Sequence, residues 1–325
     1  MVNCEMHKLR HKVSDGKRRI GMVLDFDSGR IQARLEHTVK TLVDRVSFSL
    51  DEGKSMALIG ESGSGKTMTA MSLMGLLPAN VRMEQGKIMF EGRELKRPGD
   101  FRKVLGTEIV YIPQNGLECL NPSKLVRSHL YDSLKKMGIS RSCWESLAIA
   151  KLSCVGFTEP EQILDKYPFQ LSGGMAQRVT IAIAACSQAK LVIADEPTNG
   201  LDHEAKVKFM GMLKEIFPRS AKLIITHDIG VAQLCDRTLV LCGGRMMECG
   251  ESEELLETPK HPYTKALMGA LVKNGMMETP VLREYLPSAQ PADGCPFFRR
   301  CPRATTRCTL SHRQGNKTEW WCSEA

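Results

Sequence analysis

One short segment restricts the fold of this chain more than any other, because a glycine-rich phosphate loop requires a buried strand before it and a helix after it. The segment at 60–67 reads Gly-Glu-Ser-Gly-Ser-Gly-Lys-Thr. An apolar run at 55–59 precedes it, and a run of helical composition at 68–74 follows it. The pattern therefore predicts a strand, a loop and a helix in direct succession.

This pattern is suited to binding nucleotide phosphates. Its glycines let backbone N–H groups turn toward phosphate oxygens, the amine of Lys66 reaches the β- and γ-phosphates, and the hydroxyl of Thr67 ligates Mg²⁺. The predicted nucleotide-binding residues are Gly60, Glu61, Ser62, Gly63, Ser64, Gly65, Lys66 and Thr67.

A second apolar run, at 191–194, ends in Asp195 and Glu196. A carboxylate at the carboxyl end of a parallel strand beside a phosphate loop can hold the ligand shell of Mg²⁺. A second carboxylate can orient or deprotonate the attacking water. The two elements together predict a site for ATP or GTP rather than two unrelated loops.

Further motifs stand in a fixed order around these two. They are Tyr-Ile-Pro-Gln at 111–114, Leu-Ser-Gly-Gly-Met-Ala-Gln-Arg at 171–178, Asp-Glu-Pro-Thr at 195–198, Leu-Asp at 201–202 and Ile-Thr-His-Asp at 225–228. From about residue 39 to about residue 250, the chain resembles the nucleotide-binding subunits of ABC transporters. The segments at 120–122, 167–170 and 261–264, and the Cys-Pro pairs at 295 and 301, look like the oligopeptide, dipeptide and nickel importer branch.

The resemblance implies that ATP is hydrolysed with Mg²⁺ in a composite site, which two ATPase subunits close over each nucleotide. Asp195 would support the metal, and Glu196 would be the catalytic base. The other implied catalytic residues are His227, which hydrogen-bonds the γ-phosphate, and Gln114, which senses metal and water and passes the change to a helical insertion.

The segment Ser172, Gly173 and Gly174 is implied to act on the partner subunit's nucleotide. Glycines there allow close backbone approach, and a helix that begins near Met175 offers its positive end to phosphate. Asp202 is predicted either to cap the helix that follows it or to lie in a loop that crosses the dimer interface.

Two departures from the family pattern affect the site. Asn115-Gly116 follows Gln114, where the family usually carries Asp-Pro, so the local turn is expected to differ. The stretch 31–46 contains no aromatic residue that could stack on adenine, which leaves Phe26 and His37 as candidates.

The order of strand-like and helical segments predicts an α/β fold. Together with the resemblance, it implies the P-loop ABC-type ATPase fold with an antiparallel β subdomain, a helical subdomain and a Cys-rich C-terminal extension. The predicted boundaries are a basic tail over 1–21, the ATPase domain over 22–250 with its helical subdomain at about 115–170, and the extension over 251–325.

The chain has 325 residues, a formal net charge of +8 and 6% aromatic residues. Its basic residues do not interleave with aromatic ones, so we expect no nucleic-acid partner.

No apolar run approaches the roughly 18 residues of a membrane span. We expect a peripheral protein at the cytoplasmic face of the membrane. The resemblance implies permease subunits, a second homologous ATPase subunit in a heterodimer and, indirectly, an extracytoplasmic solute-binding protein.

The predicted function is ATP hydrolysis that powers import of a small solute, a peptide or a nickel or other metal chelate. The alternative is a soluble ABC ATPase that acts on the ribosome or on nucleic acid. Such proteins usually carry two cassettes or a long coiled coil, which this chain lacks. A regulatory module that only binds nucleotide would have to hydrolyse it poorly despite Glu196.

Four cysteines lie close together near the C-terminus with the spacing C-x5-C-x6-C-x13-C, at Cys295, Cys301, Cys308 and Cys322. Zinc sites usually show tighter Cys-x2-Cys pairs, whereas Cys-Pro also occurs in iron–sulfur ligand runs. The importer resemblance points the same way, so the favoured hypothesis is a structural [4Fe–4S] cluster. Zinc, disulfides and free thiols remain alternatives.

Overall fold

A mixed seven-stranded sheet forms the centre of the computed structural model, which describes residues 21–271, 294–309, 319–320 and 322. In spatial order, and numbered along the chain, its strands are β11 (Glu319–Trp320), β10 (Arg245–Glu251), β9 (Arg237–Cys242), β3 (Ser55–Ile59), β8 (Ala221–Ile225), β7 (Leu191–Asp195) and β6 (Ile109–Ile112). The strands from β9 to β6 run parallel, and β10 and β11 extend the β9 edge in antiparallel pairs.

The parallel strands are buried on both faces, which explains why their sequences are apolar without a break. Successive residues of β3 contribute to two different cores: Met56 and Leu58 to one, Ala57 and Ile59 to the other. All four side chains are at most 1% exposed. Packing on both faces fixes the position of the sheet, and therefore also the positions of the loops at the ends of its strands.

A four-stranded antiparallel sheet covers one face of the central sheet. Its strands are, in spatial order, β2 (Val39–Asp51), β1 (Met22–Arg34), β4 (Val81–Phe90) and β5 (Arg93–Glu94). Helix α1 (Lys66–Met74) shares a core with this sheet through Leu73, Phe26 and Phe90. The predicted antiparallel β subdomain is confirmed.

Helices occupy the chain between β6 and β7. They are α3 (Gly116–Cys119), α4 (Val126–Lys136), α5 (Trp144–Cys154), α6 (Pro160–Leu164) and α7 (Gly173–Ala185). Their apolar stripes meet in a core that includes Leu130, Ala148 and Leu152 and continues onto the central sheet. The predicted helical subdomain is therefore present, built on one face of the sheet.

Further helices connect the strands and begin the C-terminal region. They are α2 (Pro98–Val104), α8 (His203–Ile216), α9 (Ile229–Gln233), α10 (Ser252–Glu257) and α11 (Pro262–Leu271). Residues 294–309 fold back onto the same core, where Phe297 is 1% exposed. Over the described ranges, none of the helices is both long and apolar enough to cross a membrane. The predicted basic tail over 1–21 lies outside the described residues except for Gly21.

A carboxylate joins the antiparallel sheet to the central sheet. Asp44, which is 6% exposed, accepts from Arg30 at 2.7 Å, Arg245 at 2.8 Å and Arg45 at 3.3 Å, and its backbone N–H donates to Gly244. Burial raises the pKa of Asp44, but the hydrogen bond from Arg30 and the surrounding positive charges leave it lowered. The ionised carboxylate of Asp44 therefore stabilises the fold. Its contribution is fully present above pH 3.8, the ordinary pKa of the group, and is lost as the pH falls through the lowered pKa of the folded state.

We predict that Asp44→Asn lowers the free energy of unfolding by about 3 kcal/mol, because removing one partner of a buried ion pair leaves the others uncompensated. Urea denaturation at neutral pH measures the loss. Asp51→Asn, on the exposed end of the same strand, is the matched control and should unfold like the wild type. Equal stability of the two variants would contradict this role of Asp44.

Candidate nucleotide-binding site

The phosphate loop joins the end of β3 to the start of α1. Gly60 has φ 152° and Gly65 has φ 101°, in the region that favours glycine. A Cβ atom at Gly60 would lie 2.2 Å from the Leu241 carbonyl oxygen, and one at Gly65 would lie 2.9 Å from that of Leu42. The loop therefore needs glycine at both positions for its conformation and for close packing.

Lys66 is held inside this loop. Its Nζ donates to the backbone oxygens of Gly60 at 2.7 Å and Glu61 at 3.0 Å. Burial lowers the pKa of Lys66, and the carboxylates of Glu196 and Asp195 oppose that shift. The amine is thus a partly desolvated cation beside two acidic side chains.

The loop has capacity for an anionic ligand. The hydroxyl of Ser64 is buried and has no hydrogen-bond partner among the described residues. The loop also opens onto the N-terminus of α1, where backbone N–H groups favour negative charge. An orphaned donor next to a helix start and a half-buried lysine fits a nucleotide phosphate.

Asp195 and Glu196 lie at the carboxyl end of β7. Burial and the charge of Glu196 raise the pKa of Asp195, whereas the hydroxyl of Tyr111, 3.4 Å from Asp195 Oδ2, and Lys66 lower it. A bound divalent cation would favour the ionised form of this carboxyl. The residues therefore fit Mg²⁺ with Asp195 as a support.

Glu196 is held in a fixed orientation by the end of the neighbouring strand β8. Its Oε1 lies 2.8 Å from Nδ1 of His227, and its Oε2 accepts from the Thr226 hydroxyl and the His227 backbone N–H, each at 3.4 Å. Glu196 itself has φ 45°, an uncommon conformation for a non-glycine residue that clusters at functional sites. The structure thus brings the predicted base and the predicted γ-phosphate partner into contact.

Gln114 is exposed and lies two residues after the end of β6. The Asn115-Gly116 sequence that follows it, where the family usually carries Asp-Pro, has a structural reason. Asn115 caps α3 by accepting from the Leu117 backbone N–H at 3.1 Å. A Cβ atom at Gly116 would lie 2.8 Å from the backbone of Ala176 in α7. The chain after Gln114 therefore packs directly on the helix that carries the Leu-Ser-Gly-Gly motif.

That helix begins two residues earlier than expected, at Gly173 instead of Met175, because Ser172 caps it by accepting from the Met175 backbone N–H. Gly173 and Gly174 are exposed, with open space where a side chain would stand. In the described part of the chain, no hydrogen bond joins this segment to the phosphate loop. The helix start is therefore presented to solvent.

Two other predictions concern Asp202 and the adenine contact. Asp202 caps α8, since its carboxylate accepts from the Ala205 backbone N–H at 2.8 Å, so the predicted cap is confirmed. The prediction that Phe26 stacks on adenine is wrong. Its side chain is 0% exposed, and its ring centroid lies 5.4 Å from that of Phe48. His37 is exposed.

The four C-terminal cysteines share one region of the fold. The backbone N–H of Cys295 donates to the carbonyl of Cys308 at 2.8 Å. Burial raises the pKa of Cys295 to about 12, with further raising from Cys308, Cys301 and Cys322. Across 21–271, 294–309, 319–320 and 322, no three His, Cys, Asp or Glu side chains converge as a site for a metal ion.

Comparisons with known proteins agree with this geometry. A family model described as "ABC transporter" matches residues 43–199. A second one, described as "Oligopeptide/dipeptide transporter, C-terminal region", matches residues 247–308. The dipeptide transport ATP-binding protein DppD of Bacillus subtilis (strain 168) is 38% identical in an alignment of 275 positions that covers 81% of this chain and 82% of DppD. The chain belongs to the ABC transporter family of ATP-binding proteins.

Other relatives extend the match. The oligopeptide transport ATP-binding protein OppD of Haemophilus influenzae is 35% identical over 300 residues, covering 89% of this chain and 92% of OppD. A solved dimeric ATP-binding cassette, MJ0796 with ADP and Pi, shares the fold with a TM-score of 0.63 at 22% identity, covering 70% of this chain and 98% of that one. The predicted ATPase and its ATP-binding cassette fold are confirmed. The ribosome or nucleic-acid alternative is not supported, since both sequence relatives are named for transport.

We predict that Lys66→Ala raises the Kd of this ABC ATPase for MgATP by about ten- to a hundredfold, because charge-assisted hydrogen bonds contribute about 1.5–3 kcal/mol. Isothermal titration calorimetry measures the affinity. Lys103→Ala, at an exposed position of α2, is the control and should bind like the wild type. Unchanged affinity in Lys66→Ala would remove Lys66 from the phosphate site.

Proposed function

We propose that this ABC ATPase powers the import of small peptides through a separate membrane permease. The observation that carries the proposal is the C-terminal match at 247–308, whose description names oligopeptide and dipeptide transporters. The relatives reported above are named for dipeptide and oligopeptide transport. The other predicted cargo, a nickel or metal chelate, has no comparable support.

We propose that the phosphate loop from Gly60 to Thr67 holds ATP, with Lys66 on the phosphates and Thr67 and Asp195 around Mg²⁺. The metal supplies charge neutralisation at the phosphate oxygens. Glu196 accepts a proton from the attacking water through its Oε1, while Thr226 and the His227 backbone hold its Oε2. The His227 imidazole, already beside that carboxylate, donates to the γ-phosphate.

The nucleotide partner of Ser172, Gly173 and Gly174 belongs, in this proposal, to a second subunit. The segment is exposed at the start of a 13-residue helix, whose positive end favours phosphate. The phosphate loop covers only one side of a triphosphate, so it needs such a surface from another chain. We propose a heterodimer with a second homologous ATPase subunit, in which Asp202 lies near the interface.

The remaining partners follow from the transport role. Gln114 lies between the core strand β6 and helix α3, and α3 packs on α7, so a shift at Gln114 reaches the helical subdomain. We propose that this subdomain contacts the permease at the cytoplasmic face of the membrane, with peptides delivered by an extracytoplasmic solute-binding protein.

We predict that Glu196→Gln lowers ATP turnover by about 10²–10⁴-fold, because a general base contributes that factor, while MgATP affinity stays the same. Turnover and labelled-peptide uptake are measured in membranes that contain the whole transporter. Glu204→Gln, exposed on α8, is the control for a changed glutamate. Wild-type turnover in Glu196→Gln would contradict its role, and turnover without peptide uptake in the wild type would contradict the transport function.

We also propose a [4Fe–4S] cluster on Cys295, Cys301, Cys308 and Cys322. Burial raises the pKa of Cys295 and Cys301, and the neighbouring thiols raise both further, Cys308 and Cys322 among them. Four thiolates are the donor set that such clusters use. The proposal rests on the residue types and their spacing, since no three His, Cys, Asp or Glu side chains of the described ranges converge on a metal-ion site. The role of the cluster would be structural, folding a short segment with little apolar content.

We predict that protein purified without oxygen is brown and contains iron, with visible charge-transfer absorption that Cys301→Ser removes. Absorption spectra and metal analysis measure both. Cys143→Ser, in the helical subdomain, is the control and should keep the colour. Colourless protein with neither iron nor zinc, and with four thiols that alkylate freely, would rule out the site.

A further inference from the structure

Glu61 in the phosphate loop is held by a residue that lies 239 positions later in the chain. Arg300 Nη1 donates to Glu61 Oε1 at 2.9 Å, and Nη2 donates to Oε2 at 3.0 Å. This is the bidentate geometry in which guanidinium and carboxylate fix each other's orientation as well as their distance. The C-terminal region therefore contacts the nucleotide site directly.

The guanidinium of Arg300 is itself immobilised. It lies 5.1 Å from the ring centroid of Phe297 and 5.9 Å from that of Tyr263, and Nη2 is 3.7 Å from Cys242 Sγ. Its side chain is 7% exposed. A buried cation packed against two rings has few alternative positions, so the Glu61 carboxylate has few as well.

Tyr263 makes a second contact to the same loop residue. Its hydroxyl accepts from the Glu61 backbone N–H at 3.1 Å. Tyr263 is 0% exposed and packs edge-on against Phe297 at 5.4 Å. The Glu61 carbonyl in turn accepts from Lys66 Nζ at 3.0 Å. One peptide segment thus links the C-terminal residues to the phosphate-binding lysine.

The contact also lies beside the cysteine segment, residues 294–309, which contains Cys295, Cys301 and Cys308. Arg300 ends the short 3₁₀-helix Phe298–Arg300, which separates Cys295 from Cys301. The backbone N–H of Phe298 donates to the carbonyl of Cys295 at 3.0 Å. A change in how this segment folds would therefore move Arg300.

We propose that Arg300 and Tyr263 are positioning residues of the phosphate loop, through which the fold of the C-terminal cysteine segment controls nucleotide affinity. The inference rests on the nucleotide site proposed above. Linkage makes the coupling reciprocal, so bound nucleotide stabilises the segment at 294–309 by the same factor. A purely structural ion pair would change stability without this coupling.

The test uses the full chain and MgADP affinity from calorimetry. Arg300→Met should raise the Kd about tenfold or more, since one partner of a desolvated pair is removed. Arg300→Lys should restore only part of the affinity, because an ammonium cannot reproduce the two parallel hydrogen bonds. Arg299→Met, its exposed neighbour, is the control and should bind like the wild type.

A double-variant cycle with Glu61→Gln identifies the contact. Adding Arg300→Met to Glu61→Gln should weaken binding by much less than Arg300→Met does in the wild type, because the interaction is already broken. Fully additive effects on Kd would overturn the proposal. Hydrogen exchange gives the reciprocal readout: MgADP should slow exchange of amides in 294–309 in the wild type but not in Arg300→Met.

The outcomes separate this inference from the proposed site. Wild-type affinity and wild-type protection in Arg300→Met would overturn the positioning role and leave the nucleotide site standing. A wild-type chain that binds no nucleotide would overturn the proposed site itself. If Arg300→Met does not fold, Tyr263→Phe removes a single hydroxyl and should still lower MgADP affinity several-fold; unchanged affinity there contradicts the proposal.

Discussion

The parallel pairing of β3, β8 and β7 is the constraint on which the site depends. Leu58 pairs with Ile225, and Ile225 pairs in turn with Asp195, so the three strands end at one edge of the sheet. The phosphate loop, Glu196 and His227 all follow from those ends. Because each strand is buried on both faces, a one-residue shift in register would move its side chains from one packed core into the other and disrupt both, so the register and the positions of these residues are fixed.

The site works against the stability of the fold in two respects. Burial disfavours the charged forms of Asp195 and Lys66, raising the pKa of the first and lowering that of the second. Glu196 also has a strained backbone, with φ 45°. The apolar strands and the C-terminal contacts to Glu61 hold these groups together, as expected where a fold departs from local preference for the sake of function.

Elements with a local signal were predicted well from the sequence. The strand before Gly60 and the helix after it follow from the motif, and Asp202 caps its helix as its residue type suggests. The helix at Gly173 begins early because the Ser172 hydroxyl supplies the cap. The prediction that Phe26 contacts adenine was wrong, because its place in the sequence does not show that its side chain is buried in the core.

Contacts between distant residues gave no such signal. The hydroxyl of Tyr111 reaches Asp195, and Thr226 reaches Glu196, only because neighbouring parallel strands align their ends. Arg300 contacts Glu61 because the C-terminal region folds back onto the nucleotide site. No periodic pattern in the sequence predicts this contact. Such side-chain geometry follows from tertiary packing, so motif spacing identifies the reacting residues but not those that orient them.

The most direct measurement of the central claim is a structure of the transporter isolated from membranes, with Glu196→Gln in this chain and MgATP present. We expect one nucleotide with its γ-phosphate between Lys66 of this chain and the Leu-Ser-Gly-Gly segment of a second ATPase subunit. Ser172 of this chain should face the other nucleotide. Nucleotide held by this chain alone, with Ser172–Gly174 open to solvent and no second ATPase subunit, would contradict the composite site.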